Sequence, residues 1–379
     1  REPFRLSNAI ISDLKVQHSK FVDQVKLRGV VFSEGVNFDS VQFRDVVVFQ
    51  GVKFNAETKF QSTVFEKDVT FETGQEGGQN VFNFVDFEGV KFKGRTVFQG
   101  VVFDEVTRFK SDSSGVPTTF ADVTFRYSTL KSITAFSGVK FSGETVFDRT
   151  CFEGATSFDC EHDGEPTTFA NIAFRGVSFK SSTAFKHTLF TGLVEFSSVN
   201  IGSNSSVHRI ELQNVSFNNP AVFKTTVFDG VTTFKNAEFR DVTEFSTVHF
   251  KGPLYVGSHQ DKTTKFNASK FHDVKFDRDV TFSAVNFEGE VEFKKGTFKD
   301  VVNFGCCRQI KSSAAAEAGQ KLNGNNVPQV TVFKDGAFFQ KIDFKGPAYF
   351  KGVQFHGDTE FYDVEFEKDA KFSSYSKIS

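Results

Sequence analysis

The chain has 379 residues, 54 of them Phe, with no Trp and no Met, and its 45 Lys and Arg nearly balance 47 Asp and Glu. That balance argues against the basic field of a nucleic-acid binder, and charges recur too often for any stretch to read as a membrane span. So many copies of one apolar side chain exclude an ordinary mixed core and point to one shape packed repeatedly.

The chain opens on Arg1 without a Met, which reads as a trimmed mature protein after signal-peptide removal. A degraded rhythm runs through Ile10, Val16, Phe21, Leu27 and Phe32. From there Phe recurs at alternating gaps of five and six residues, through Phe38, Phe43, Phe49, Phe54, Phe60, Phe65 and Phe71. The rhythm returns at Phe136–Phe158, at Phe217–Phe250 and at Phe339–Phe372. A short fixed period identifies a stacked array of small units.

Two residues before almost every repeat Phe stands a small or β-branched residue, as at Val36, Val41, Val47, Val52, Thr58, Thr63 and Val69. A spacing of two puts both side chains on one face of an extended segment, while Lys, Glu, Asp, Gln and Arg take the other. Gaps of five and six drift around a helix, and sandwich strands are longer and turn less often. The expected fold is therefore all-β, a parallel β-solenoid of about 22 residues per coil if each unit is one side of a four-sided coil. Its core is expected at the repeat rings, among them Phe38, Phe43, Phe49, Phe54, Phe141, Phe147, Phe152, Phe228, Phe234, Phe287, Phe293, Phe355, Phe361 and Phe366.

Motifs such as Val139-Lys140-Phe141, Thr145-Val146-Phe147 and Thr156-Ser157-Phe158 resemble those of the pentapeptide-repeat family over most of the chain. The resemblance implies a right-handed quadrilateral β-helix. The chain departs from the family pattern in giving every second side six residues and in using Val or Thr where Ala is usual, so the Phe-rich five-and-six variant is the nearest match. Some members mimic DNA and protect gyrase; the balanced charge here speaks against that role.

The rhythm breaks at polar runs expected to be corner excursions from a single continuous solenoid over 1–379: 72–81, 110–119, 159–168, 202–211 and 256–265, with repeat residues such as Ile201, Leu212 and Tyr255 at their edges. A larger insert occupies 305–332, and its Ser312–Leu322 portion, with four Ala, is a candidate helix interrupted by Gly319. Neither end shows a cap, so the terminal coils are expected to expose strand edges and core.

No catalytic constellation emerges, and no cofactor is expected. The densest grouping is Asp159-Cys160-Glu161-His162-Asp163-Gly164-Glu165, which lacks EF-hand spacing and is read as a solvated acidic loop, with no metal site assigned. Cys151 and Cys160 are a candidate disulfide in an oxidising compartment, and Cys306 and Cys307 are adjacent in the insert. Asn204, Asn214 and Asn267 begin N-glycosylation sequons. Thr lies mostly at inward positions, which removes the outward ladder that an ice-binding face requires.

These features point to a non-enzymatic structural protein, extracellular or on the cell surface, that stacks head to tail with copies of itself. Other structural proteins are expected as partners through the excursions, and nucleic acid is not. The alternative is a monomeric or dimeric protein-binding scaffold, for which a cytoplasmic location also fits.

Overall fold

The structure is a computed structural model and describes residues 2–373 except 75–76, 161–163, 203–207, 258–261 and 306–329. The helix expected within Ser312–Leu322, the pair Cys306 and Cys307, His162 and Asn204 lie outside the described residues. The chain divides into two compact units, Arg1–Asn200 and Ile201–Ser379. Among the described residues there are strands and turns but no helix.

In the first unit long sides are strands of four residues, as Val36–Asp39 and Val47–Gln50, and short sides strands of two, as Val31–Phe32 and Gln42–Phe43. In places a short and a long side merge into one strand of eight or nine, as Lys53–Gln61 and Val81–Glu88. Every strand pairs in parallel with the equivalent strand of the next coil, so that ring pairs with ring: Phe32 with Phe54, Phe38 with Phe60, Phe43 with Phe65 and Phe49 with Phe71. Four strands therefore close one coil, two long sides facing each other and two short sides between them. The gap of five leads from a long side to a short one, and the gap of six leads back.

Stacking in register makes four columns of rings. On one long side the successive pairs from Phe38 to Phe60, Phe87, Phe109, Phe136, Phe158 and Phe185 lie 4.7–5.2 Å apart with their planes nearly parallel. The facing column, from Phe49 through Phe98, Phe125 and Phe147 to Phe196, meets it edge to face, as at Phe109 and Phe125, 6.2 Å apart at 90°. Each interior ring thus stacks along the column and presents an edge across it, both favourable geometries for the aromatic quadrupole. This dual demand is why one ring type fills the core. Leu130 interrupts one short column between Phe103 and Phe152.

Corners have their own signature. Two residues beyond the ring of a long side, the backbone turns left-handed at Gly29, Ser40, Gly51, Ser62, Gly89 and Gly100. The next residue is the small inward one, at Val30, Val41, Val52, Thr63, Val90 and Val101, all fully buried.

The second unit repeats this plan. Its columns run through Phe223, Phe245, Phe271, Phe293, Phe339 and Phe361, and through Phe228, Phe250, Phe276, Phe298, Phe344 and Phe366, with neighbouring rings 4.5–5.2 Å apart. A third column holds Phe217, Phe239, Phe266, Phe287, Phe333 and Phe355.

The structure corrects the expected phase twice. The inward residue of the second strand is Ile11, paired with Phe32, whereas Ile10 points out and is 78% exposed. At Leu254–Gly257 the inward residue is Val256, paired with Phe234 and Phe282, and Tyr255 takes the outward place opposite Thr233 and Thr281. In both cases two adjacent apolar residues compete for one position, and the register of the paired strands decides between them.

Candidate functional site

The features outside the plain coil are the excursions, the corner clusters beside them and the terminal layers. In the first unit the strands stop at Glu72, Lys110 and Asp159 and resume at Val81, Thr119 and Thr168. All three departures follow a long side and replace its left-handed corner. Each return is closed by a buried polar residue in the small inward position. Thr118 donates its hydroxyl to the carbonyl of Lys110 at 2.8 Å and shares it with that of Phe87 at 3.0 Å. Thr167 does the same toward Asp159 at 2.9 Å and Phe136 at 2.8 Å. Asn80 goes further: its amide donates to Glu72 and Phe49, and its Oδ1 accepts the N–H of Val52 at 2.7 Å. In the second unit Thr264 bonds the carbonyls of Gly257 and Phe234, and Thr331 bonds that of Phe282.

These clamps were not singled out in the sequence, although a signal exists: a polar residue two places before the first ring after every long gap except 202–211, where Ile210 precedes Leu212. Their physical task is clear. At each opened corner the buried side-chain donor bonds both a ring carbonyl of the preceding coil and the neck carbonyl, which also accepts a backbone N–H from that coil.

The expected core residues of the first unit, together with Phe228, Phe234, Phe287 and Phe293, are buried. Phe355, Phe361 and Phe366 are half-buried in the last described coil. Cys151 lies at an outward position of Cys151–Phe152, and it is a free thiol, so the candidate bridge to Cys160 is not formed. The two cysteines belong to different sides of the coil, Cys160 following the long-side strand Thr156–Asp159. Burial pushes the Cys151 thiol up, and Lys180, which pairs with Glu153 at 2.7 Å, counters part of that shift. Asn214 sits at a left-handed corner and accepts a hydrogen bond from Asn236 at 2.9 Å; Asn267 is exposed and donates to the carbonyl of Arg240.

Register brings together one group that the sequence keeps apart. Asp159, Cys160 and His187 gather where the excursion leaves the coil, with Asp159 Oδ1 3.7 Å from His187 Nδ1.

The terminal layers differ from the interior in one respect. Phe350 and Phe372 stack at 4.5 Å in one column, yet Phe350 is 2% exposed and Phe372 53%. In the first coil of the first unit Phe4 is 50% exposed and meets Phe21 edge on.

Among known families, the model for pentapeptide repeats (9 copies) matches residues 331–374. That stretch contains the strands Val332–Phe333, Ala337–Phe344, Ala348–Lys351, Gln354–Phe355, Thr359–Tyr362, Glu365–Phe366 and Ala370–Ser373. Residues 331–374 carry pentapeptide repeats. Each unit is an all-β, parallel, four-sided β-solenoid with Phe as the inward residue, and pentapeptide repeats form right-handed β-helices. No curated relative and no solved structure matches the chain.

Proposed function

We propose that this pentapeptide-repeat β-solenoid is a non-enzymatic structural protein whose terminal coils stack on those of other copies, building a filament outside the cell or on its surface. The carrying observation is that successive layers join ring on ring and strand on parallel strand, and that the outermost described layers, with Phe372 and Phe4, offer those same surfaces. A further layer set on either surface would bury a ring and pair an open parallel strand edge, and contacts of that head-to-tail kind do not close. Covering one Phe contributes on the order of 2 kcal/mol.

Charge supports a structural role over a DNA mimic. In the first unit Asp104, Lys131, Glu153 and Lys180 occupy one outward column with alternating sign, tied by the Lys131–Asp104 pair at 2.6 Å and the Lys180–Glu153 pair at 2.7 Å. A mimic needs a continuous acidic face, and this column interrupts one at every second coil.

Sedimentation velocity over a concentration series, with negative-stain microscopy of the same samples, tests the reading. Particles that lengthen with concentration, and that Phe372→Lys combined with Phe4→Lys returns to single chains, are the expected result. A single-chain species at every concentration overturns it.

A further inference from the structure

We propose that Asp159, Cys160 and His187 bind a zinc ion at the neck of the excursion that follows Thr156–Asp159. A carboxylate oxygen, a thiol sulfur and an imidazole nitrogen of these residues all lie within 4.8 Å of one another. Donors held around a tetrahedral Zn²⁺ stand roughly 3.3–3.7 Å apart, given metal–ligand distances of about 2.0–2.3 Å. The Asp159 Oδ1 to His187 Nδ1 separation, 3.7 Å, is within about 0.4 Å of the edge between an oxygen and a nitrogen ligand. Contraction of about 1 Å at the remaining edges completes three corners of a tetrahedron, with water at the fourth.

The coil itself builds the cluster. Phe158 pairs with Phe185, so the residues two places beyond each ring, Cys160 and His187, are neighbours at the same corner of consecutive coils. The carbonyl of Asp159 is fixed by the N–H of Gly138 at 2.9 Å and the hydroxyl of Thr167 at 2.9 Å, and its Oδ1 accepts the N–H of Cys160 at 2.7 Å. His187 holds a left-handed backbone, φ 53°, as the turn requires. The donors are therefore set by strand register and a braced neck rather than by a free loop. One soft sulfur and one imidazole beside a single carboxylate select Zn²⁺ over Ca²⁺ or Mg²⁺, which need several oxygens. On binding, the Cys160 S–H bond breaks, its proton passes to solvent and the thiolate pair forms the S–Zn bond. The ion would tie the excursion neck to the following coil.

The test uses the full chain with Cys151, Cys306 and Cys307 changed to Ser, so that Cys160 is its one thiol. Co²⁺ serves as the spectroscopic probe. One Co²⁺ per chain is expected, with thiolate-to-metal charge transfer in the near ultraviolet and tetrahedral d–d bands, both erased by Zn²⁺. His187→Asn keeps a residue tolerant of the left-handed turn and should weaken binding about tenfold or more; Cys160→Ser should remove the charge-transfer band while the far-ultraviolet circular dichroism is unchanged. No thiolate band, or a binding midpoint unmoved by His187→Asn, overturns the proposal.

Discussion

Thr118 and Thr145 are both fully buried and both stand two places before a ring, at Phe120 and Phe147, yet their hydroxyls meet opposite circumstances. Thr118 satisfies two carbonyls at an excursion neck, while Thr145 Oγ1 is buried without a hydrogen-bond partner. Valine is nearly the same shape, so the exchange isolates the hydroxyl. Thr118→Val takes the hydroxyl donor from the buried Phe87 carbonyl and from that of Lys110, which keeps the N–H of Gly89, and should lower stability by about 1–3 kcal/mol; Thr145→Val removes an unsatisfied group and should raise it by about 1 kcal/mol. Urea midpoints of the two variants, moving in opposite directions at unchanged slope, check this. The sequence made both residues legible as inward, because a spacing of two is all that a strand face needs. Which of them meets a turning carbonyl depends on the coil below, 28–31 positions away as the Val90–Thr118 and Phe87–Thr118 bonds show, and no local pattern carries that. His187 escaped notice for the same reason. Its neighbour Cys160 is fixed by register, and register is legible only once the coil length is known through the 159–168 excursion.

At the scale of the strand and its corner, an excursion changes the bookkeeping of the coil. Phe54 to Phe60, Phe92 to Phe98 and Phe141 to Phe147 take six residues, but Phe82 to Phe87, Phe120 to Phe125 and Phe169 to Phe174, each directly after an excursion, take five. The ladders absorb the missing residue at irregularities between Phe54 and Glu57, Phe92 and Arg95, and Phe141 and Glu144. The alternating rhythm predicted sides of two lengths; that one length gives way after a loop shows only in the pairing. Corners are less forgiving. Gly89 turns at φ 63°, and a Cβ there would meet the Asp112 side chain at 2.8 Å. Asp112 Oδ1 accepts the N–H groups of Ser114 and Val116, so displacing it disturbs the 110–119 excursion as well. Gly89→Ala should therefore cost more than the roughly 1–2 kcal/mol of left-handed strain alone, and limited proteolysis should cut earlier within 110–119 than in the parent chain.

The long-side strand Val81–Glu88 holds a second element-scale consequence. Asp86 points outward between Lys59 and Arg108 but is only 6% exposed, with Arg108 Nη1 3.7 Å from its Oδ1. Burial pushes its carboxyl above the ordinary range, and Arg108 and Lys110 pull against that. A raised carboxyl pKa means that the folded chain binds the proton more tightly than the unfolded chain. Stability from this group is then fully present below the unfolded value near 4 and is lost as pH rises toward the folded value. Asp86→Asn should be more stable than the parent at pH 7, and the difference should close at acid pH. Urea denaturation of both chains across that range measures it, and a gap that widens on acidification would refute the assignment.

At the scale of the whole molecule the governing fact, in each unit, is that the stacking and ladder contacts of the repeat run to the coil before or after it. Ring stacks, ladder hydrogen bonds and the clamps of the excursions all reach one coil along the column, and edge-to-face contacts stay within a coil or its neighbour. A solenoid held this way has a stability that sums coil interfaces, so a defect weakens its own neighbourhood first. Phe109→Ala removes a ring stacked on both Phe87 and Phe136 at 4.7 and 4.8 Å and should cost about 3–5 kcal/mol. In a compact globular core that loss spreads over all protected amides. Here hydrogen exchange should accelerate at Val85–Glu88, Thr107–Lys110 and Thr134–Ser137 and return to parent rates by Val194–Ser197 in the same unit. The pattern separates a stack of coils from a single cooperative body: uniform acceleration through Arg1–Asn200 would show that this unit unfolds as one, and that the columns couple beyond their nearest layers.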